Sequence, residues 1–334
     1  MGQSERLVEV WRGGMLESQH RGHAVVCNAK GEVVHGWGDP NQMIFPRSSA
    51  KMLQALPLVE SGAADAAGLT TEQLALSCAS HQGAAIHTDR VSRWLNDMGL
   101  GNDDLRCGPQ WPADQPAKIG LIKTDDSPCR IHNNCSGKHA GFLTLSRHMG
   151  VTDPEYVEVD HPIQLAIKQA FEEVTDEVSP GYGIDGCSAP NHACTVLGMG
   201  RAMAGFAAAK EDGDARARAS VRLREAMMLH PDLVAGETRA CTELMRTAPG
   251  KVALKTGAEA FFIAIIPDLQ LGVALKIEDG ATRASECAIA AILVKLGVLD
   301  PAHPDVKKRL NPDVVNFAGL VTGEIRPAET LLAM

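Results

Sequence analysis

Valine-rich runs separated by turn residues open the chain. "LVEVWRG" (7–13), "HAVVCNA" (23–29) and "GEVVHGWG" (31–38) each read as a short strand, and "NAKGE" (28–32) has hairpin composition. From Ser48 the apolar period lengthens to that of a helix. "SSAKMLQALPLVESG" opens on cap-forming residues, carries Pro57 and ends at Gly62, which predicts a helix kinked or stopped at the proline. "TTEQLALSCAS" has the acidic first turn a helix favours, and "IHTDRVSRWLNDMG" is amphipathic. Residues 99–134 are rich in Pro, Gly and Asp and read mostly as loop. Helical patterns resume in "SGKHAGFLTLSRHMG", "HPIQLAIKQAFEEV", "ACTVLGMGRAMAGFAAAK" and "ARARASVRLREAMML". Near the end "EAFFIAIIP" and "LGVALKIE" read as strands joined by "DLQ", before a last helix, "TRASECAIAAILVKLG". Strands at both ends with helices between predict an α+β fold, with the end strands sharing one antiparallel sheet and helices against it. No linker or repeat divides the chain. We therefore expect a single catalytic domain over 1–334, with its helical section at about 48–245.

Composition narrows the function. The chain has 334 residues and a net charge of −9, with no basic face for a nucleic acid. No apolar run reaches the roughly 18 residues of a membrane span. The first ten residues, "MGQSERLVEV", carry no apolar signal region, and Arg6 stands where a myristoylation signal wants Ser or Thr. These features predict a soluble, cytoplasmic protein. The nine cysteines are odd in number and contain no CxxC, which suits buried apolar thiols with a few metal ligands. Asn134-Cys135-Ser136 matches a glycosylation signal, which has no meaning without secretion.

Five stretches carry candidate chemistry. Ser48 and Lys51 form a Ser-x-x-Lys, and on a helix such a pair shares one face a turn apart. A lysine with a lowered pKa can take the serine proton, and the helix N-terminus favours the resulting anion. The plain alternative is that Ser48 or Ser49 caps the helix. Lys255-Thr256-Gly257, at what reads as the entrance to a strand, is the partner motif found with Ser-x-x-Lys in penicillin-recognising serine enzymes. There the lysine adds positive charge, the glycine leaves room, and the strand backbone donates to the oxyanion. A Ser-Asp-Asn motif is absent, which argues against an ordinary β-lactamase. In "HNNCSGKHAGFL", Cys135 and His139 are the usual soft-metal pair at helical spacing. "GIDGCSAPNHAC" brings Asp185, Cys187, His192 and Cys194 as further donors, and the competing reading is a packed cysteine among hydrogen-bonded histidines. Ser80-His81, just after a predicted helix, either reaches a cleft or ends that helix.

Five of these stretches, in order, resemble the rhizobial-type asparaginases over nearly the whole chain: "FPRSSAKMLQ", "SCASHQG", "NNCSGKHAGFL", "GIDGCSAPNHA" and "KTGAEA". The resemblance implies a fold like that of serine β-lactamases, penicillin-binding proteins and glutaminases, a homodimer, and hydrolysis of L-asparagine to L-aspartate and ammonia. It implies Ser48 as nucleophile with Lys51 as its base, and Ser80 with Lys255 as a second Ser-Lys pair, Lys251 being the nearby alternative. It implies Zn2+ on Cys135, Lys138 and Cys187, with Asp185 orienting them. Arg47, Asn133 and His139 would line the substrate site. Gly257 and the Ala258 backbone would sit at the oxyanion. Ser49, turned about 100° from Ser48 on a helix, reads as structural. On this reading Lys138, not His139, is the metal ligand, and it must be neutral. Deprotonating a free lysine at pH 7 costs roughly 4.6 kcal/mol, so metal affinity should weaken as pH falls.

Two other readings compete. One is another amidohydrolase of the same fold, a glutaminase or a β-lactam hydrolase. The other is a zinc-dependent amino-acid sensor without turnover. Ammonia release from asparagine and glutamine separates the three.

Overall fold

The computed structural model describes residues 2–333. Among them are twelve strands: β1 Glu5–Arg12, β2 Met15–Cys27, β3 Val33–Trp37, β4 Met43–Ile44, β5 Tyr182–Ile184, β6 Pro190–His192, β7 Cys194–Thr195, β8 Ala253–Thr256, β9 Phe261–Ile266, β10 Leu271–Ile277, β11 Asp313–Val315 and β12 Val321–Pro327. The chain divides into two compact units. The first holds residues 1–49, 194–208 and 243–334; the second holds 50–193 and 209–242.

The first unit is built on an antiparallel sheet in the order β11-β12-β1-β2-β10-β9-β8, with β3 paired to β2. Strands from both ends of the chain meet as the pattern predicts, with Val8 opposite Pro327 and Val25 opposite Ala274. All six residues of β9 are buried, and successive side chains point to opposite faces, so both faces of this strand are covered. The helices Val196–Ala208 and Thr282–Lys295 both pack against β9. Gly272 lets the first of them come close. A Cβ there would meet Ala204 N and the carbonyl carbon of Met203 at 2.1 and 2.5 Å. The second unit is mainly helical, with the small β5–β6 hairpin. Its helix Ser136–His148 approaches the helix Thr71–Ser77 at Gly137, where a Cβ would lie 2.5 Å from the Leu76 carbonyl oxygen. Among the described residues no helix is long and apolar enough to cross a membrane.

The structure corrects several boundaries. The helix expected from Ser48 to Gly62 is a 3-10 turn over Arg47–Ala50 and two short helices, Lys51–Gln54 and Leu56–Glu60. The break falls at Ala55 because Pro57, which lacks an N–H, is accommodated in the first turn of the new helix. Neither serine caps. The N-cap is Ala50, with no side-chain cap bond. Lys255 and Thr256 end a strand rather than lead into one, since β8 pairs with β9 through the turn that follows them. The stretch 99–134 contains the helix Gln115–Lys123, started by Asp114, whose carboxylate accepts from Ala117 N at 2.9 Å. The closing strands β11 and β12 carry too little apolar alternation to have been read.

Candidate active site

In the second unit, Lys51 begins a helix and is fully buried. Its Nζ donates to Ser80 Oγ at 3.0 Å, to Cys135 Sγ at 3.1 Å, and to the Ala79 carbonyl. Ser80 follows the helix Thr71–Ser77, whose first turn is closed by Gln73 Oε1 accepting from Thr70 N at 2.8 Å. The segment beyond is pinned by its backbone. Ser80 N donates to Val234 O at 2.8 Å, and His81 N to Asn134 O at 3.2 Å. Gly83 N donates to His81 Nδ1 at 3.1 Å, so His81 carries its proton on Nε2 and gives it to Ser136 Oγ at 2.9 Å. Ser136 in turn donates to Ile131 O at 2.8 Å. Burial, then the neighbouring His87 stacked at 4.9 Å, push the His81 pKa well down. His81 is therefore a neutral tie between the Ser80 segment and the start of the helix Ser136–His148.

That helix carries Lys138 and His139 and is preceded by Cys135. Asn133 holds the entry: its Oδ1 accepts from Cys135 N at 2.9 Å and its Nδ2 donates to Gly108 O at 2.8 Å. Cys187 lies in the turn between β5 and β6, where Ser188 adopts a φ of 70° and Asp185 Oδ1 accepts from Gly186 N at 2.8 Å. Lys138 Nζ donates to Cys187 Sγ at 3.1 Å. A hydrogen bond from the Cys135 thiol holds Cys187 well below the usual thiol range, against a burial that would raise it, and Lys138 lowers it further. The same bond, with burial, pushes Cys135 well up. Burial works against the charge on Lys138, but Cys187, Cys135 and Asp185 outweigh it and raise its pKa. These shifts push Cys135 toward the thiol, Cys187 toward the thiolate and Lys138 toward the ammonium. His139 is buried beside it, its pKa lowered first by that burial, with Nδ1 2.9 Å from Tyr156 Oη.

The first unit holds the other motif residues. Arg47 has a φ of 53°, and Ser48 is half-buried. Ser49 is buried and its Oγ donates to Lys255 O at 3.1 Å and Phe261 O at 3.3 Å, a structural tie. Lys255 is buried in β8 with Nζ donating to Thr256 O at 2.7 Å, whereas Lys251 is exposed in a turn. Gly257 has no room for a side chain, since a Cβ would lie 2.6 Å from Pro46 O and 2.9 Å from Ser49 Oγ. Beyond Ala258, Glu259 and Ala260 turn the chain at φ of 56° and 55°.

The Cys/His/Asp donor set read from spacing alone does not assemble. Among the described residues no three of His, Cys, Asp and Glu are grouped to hold a metal. His192 is packed against the Phe171 and Tyr182 rings, and Cys194 lies on β7 of the other unit. What assembles instead is two cysteines with two lysines. Tyr156 and the anchoring role of His81 had no sequence signal beyond their residue types.

The family model described as L-asparaginase II matches residues 8–327. The chain belongs to that family. Members of the L-asparaginase II family are amidohydrolases, so the chain is a hydrolase of amide bonds with a small-molecule substrate. Among curated proteins no sequence matches it. Similar solved structures include a candidate β-lactamase from Bacteroides dorei, at 11% identity over 77% of this chain and 84% of that one, with a TM-score of 0.42. A β-lactamase from Mycobacterium bovis shares 14% identity over 83% of this chain and 95% of its own, with a TM-score of 0.37. Mglu in its native form shares 13% over 85% and 66%, with a TM-score of 0.39.

Proposed function

We propose that this L-asparaginase II family member hydrolyses L-asparagine to L-aspartate and ammonia through a serine acyl-enzyme. The observation that carries the proposal is buried Lys51, hydrogen-bonded at once to Ser80 and Cys135. A buried amine in contact with a hydroxyl is the arrangement a serine nucleophile needs. By motif, Ser48 is the nucleophile and Lys51 its base, with Ser80 and Lys255 as the second Ser-Lys pair. Ser48 attacks the side-chain amide carbon, ammonia leaves, and water cleaves the β-aspartyl ester. The Ser48 and Ala258 backbone N–H groups hold the oxyanion. Arg47 pairs with the substrate α-carboxylate, for which a guanidinium offers two parallel donors. His139 and Asn133 line the substrate, Asn133 chiefly by fixing Cys135.

The resemblance implies zinc, and the donor set suits it. Cys135, Cys187 and Lys138 offer two soft sulfurs and one nitrogen, with Lys138 Nζ 3.1 Å from Cys187 Sγ. A tetrahedral zinc would separate such ligands by roughly 3.5 Å, a small opening of the cluster. Bound there, the ion supplies positive charge that draws a substrate oxygen, weakened as a Lewis acid by two thiolates. Asp185, facing Lys138, steadies the set. We also propose a cytoplasmic homodimer, which sedimentation of the purified chain and cell fractionation test.

A specific contact favours one variation. Lys51 touches Ser80, so Ser80 is a second candidate for the serine that Lys51 activates. Mass spectrometry of the enzyme quenched during turnover decides it. A β-aspartyl adduct on the peptide with Ser48 supports the first assignment, and one on Ser80 the second. No adduct on either, with full turnover in both Ser→Ala variants, defeats the acyl-enzyme. Ammonia release from asparagine set against glutamine tests the substrate, since one methylene is worth only about 1–3 kcal/mol of discrimination.

A further inference from the structure

We propose that Tyr156 is a positioning residue that locks His139 in its Nε2–H tautomer, which makes His139 a hydrogen-bond donor to the cysteine–lysine cluster. Tyr156 is 1% exposed. Its Oη accepts from the Arg106 backbone N–H at 2.7 Å and lies 2.9 Å from His139 Nδ1. A phenol has one proton. If Nδ1 were protonated, Oη would accept twice and its own buried proton would lack an acceptor, at a cost of about 1–3 kcal/mol. With Nδ1 bare, both polar groups on this side are satisfied: Arg106 N–H donates to Oη, and Oη–H donates to Nδ1. The edge-on packing of the two rings, 5.5 Å between centroids, and the Phe142 ring 6.3 Å from Tyr156 hold this geometry. With Nδ1 bare, the ring's proton sits on Nε2.

The consequence concerns chemistry, and its use in turnover rests on the site proposed above. His139 Nε2 is buried without a well-aligned partner, and the sulfur beside the ring is Cys187. A nitrogen that carries a proton has no lone pair for a metal. The lock therefore keeps His139 out of the ligand set although spacing alone nominates it, and leaves that role to Lys138. His139 serves instead as a donor to an anionic acceptor, the Cys187 sulfur in the resting protein.

Long-range 1H–15N spectra of the full chain labelled in its 12 histidines test this, with the His139→Gln spectrum assigning the signal. The expected result is a protonated Nε2 and a bare Nδ1 in the wild type, with the two tautomers mixed in Tyr156→Phe. A protonated Nδ1 in the wild type overturns the inference. So does an unchanged Nε2–H signal in Tyr156→Phe, which would free Tyr156 of the role. In kinetics, Tyr156→Phe should raise KM for asparagine about tenfold with kcat little changed. The spectra need no turnover, so they decide the tautomer even if asparagine is not the substrate.

Discussion

Lys51 Nζ lies 3.0 Å from Ser80 Oγ, across 29 residues of chain, and 3.1 Å from Cys135 Sγ. One buried amine thus links a serine to the cysteine–lysine cluster. Lys51→Met keeps an unbranched side chain out to Cε and removes all three bonds. It should lower kcat by about 10²–10⁴-fold, the range for loss of a general base. It should also cost about 1–3 kcal/mol, because the Ala79 carbonyl loses its donor. Steady-state ammonia release with urea unfolding checks both.

Gly257→Ala is the second test. Its methyl would meet Pro46 O at 2.6 Å and Ser49 Oγ at 2.9 Å, and a carbonyl on the chain cannot swing aside as a side chain can. The expected cost is about 1–3 kcal/mol of stability, with a fall in kcat as the Lys255–Ala258 turn is pushed off. A variant with wild-type urea midpoint and turnover would show that the turn has slack.

Metal loading should release protons in a fixed number. The resting cluster has a raised Cys135, a lowered Cys187 and a raised Lys138, so it is neutral overall. Two thiolates and a neutral amine around a dication are neutral as well. Zinc uptake near neutral pH therefore expels about two protons, one from Cys135 and one from Lys138, and affinity weakens as pH falls. Titration calorimetry in buffers of different ionisation enthalpy counts them. Chelation should raise KM for asparagine more than it lowers kcat.

Acid should destabilise the fold from about pH 6.5 downwards. Burial lowers the pKa of His81, His87, His139 and His192 below 6.5. Below that value the unfolded chain binds protons that the folded chain refuses, so stability is full above the unfolded pKa and is lost as pH falls toward the folded ones. Each such histidine adds at most about 1.4 kcal/mol per pH unit to the slope. His87→Gln keeps a donor for Asp232 O and should flatten the dependence of the urea midpoint between about pH 7 and 5 by one histidine's share. An unchanged slope would mean that His87 is protonated in the fold.

The sequence was most legible where one period ruled a whole element. The valines of β2 and the apolar run of β9 read as strands because every second or every position is buried. It was least legible where tertiary contacts decide. Helix rotation alone sets Ser49 apart from Ser48, but only the fold shows that Ser49 is spent on the carbonyls of Lys255 and Phe261. Spacing favoured His139 over Lys138 as Cys135's partner, because histidine is the commoner ligand. It is Cys187, 49 residues on, that selects Lys138 as its own partner. The edge strand β11, three residues long with one of them half-buried, exists through its pairing with β12 rather than through its composition.

The pairing of β1 with β12 also bears on how the chain is made. As the polypeptide leaves the ribosome, β1 emerges early but must wait for a partner some 300 residues later. The stretch 50–193, which contains Lys51, Ser80, Cys135, Lys138 and Cys187, is complete long before. We therefore expect the cysteine–lysine cluster to assemble during synthesis, while the β1–β2 hairpin waits with the β12-side edge of β1 open to wrong neighbours. Such non-local pairing is slow. Refolding yield should accordingly be limited by closure of the sheet, and aggregation from dilute denaturant should begin with β1 and β2 rather than with the helical unit.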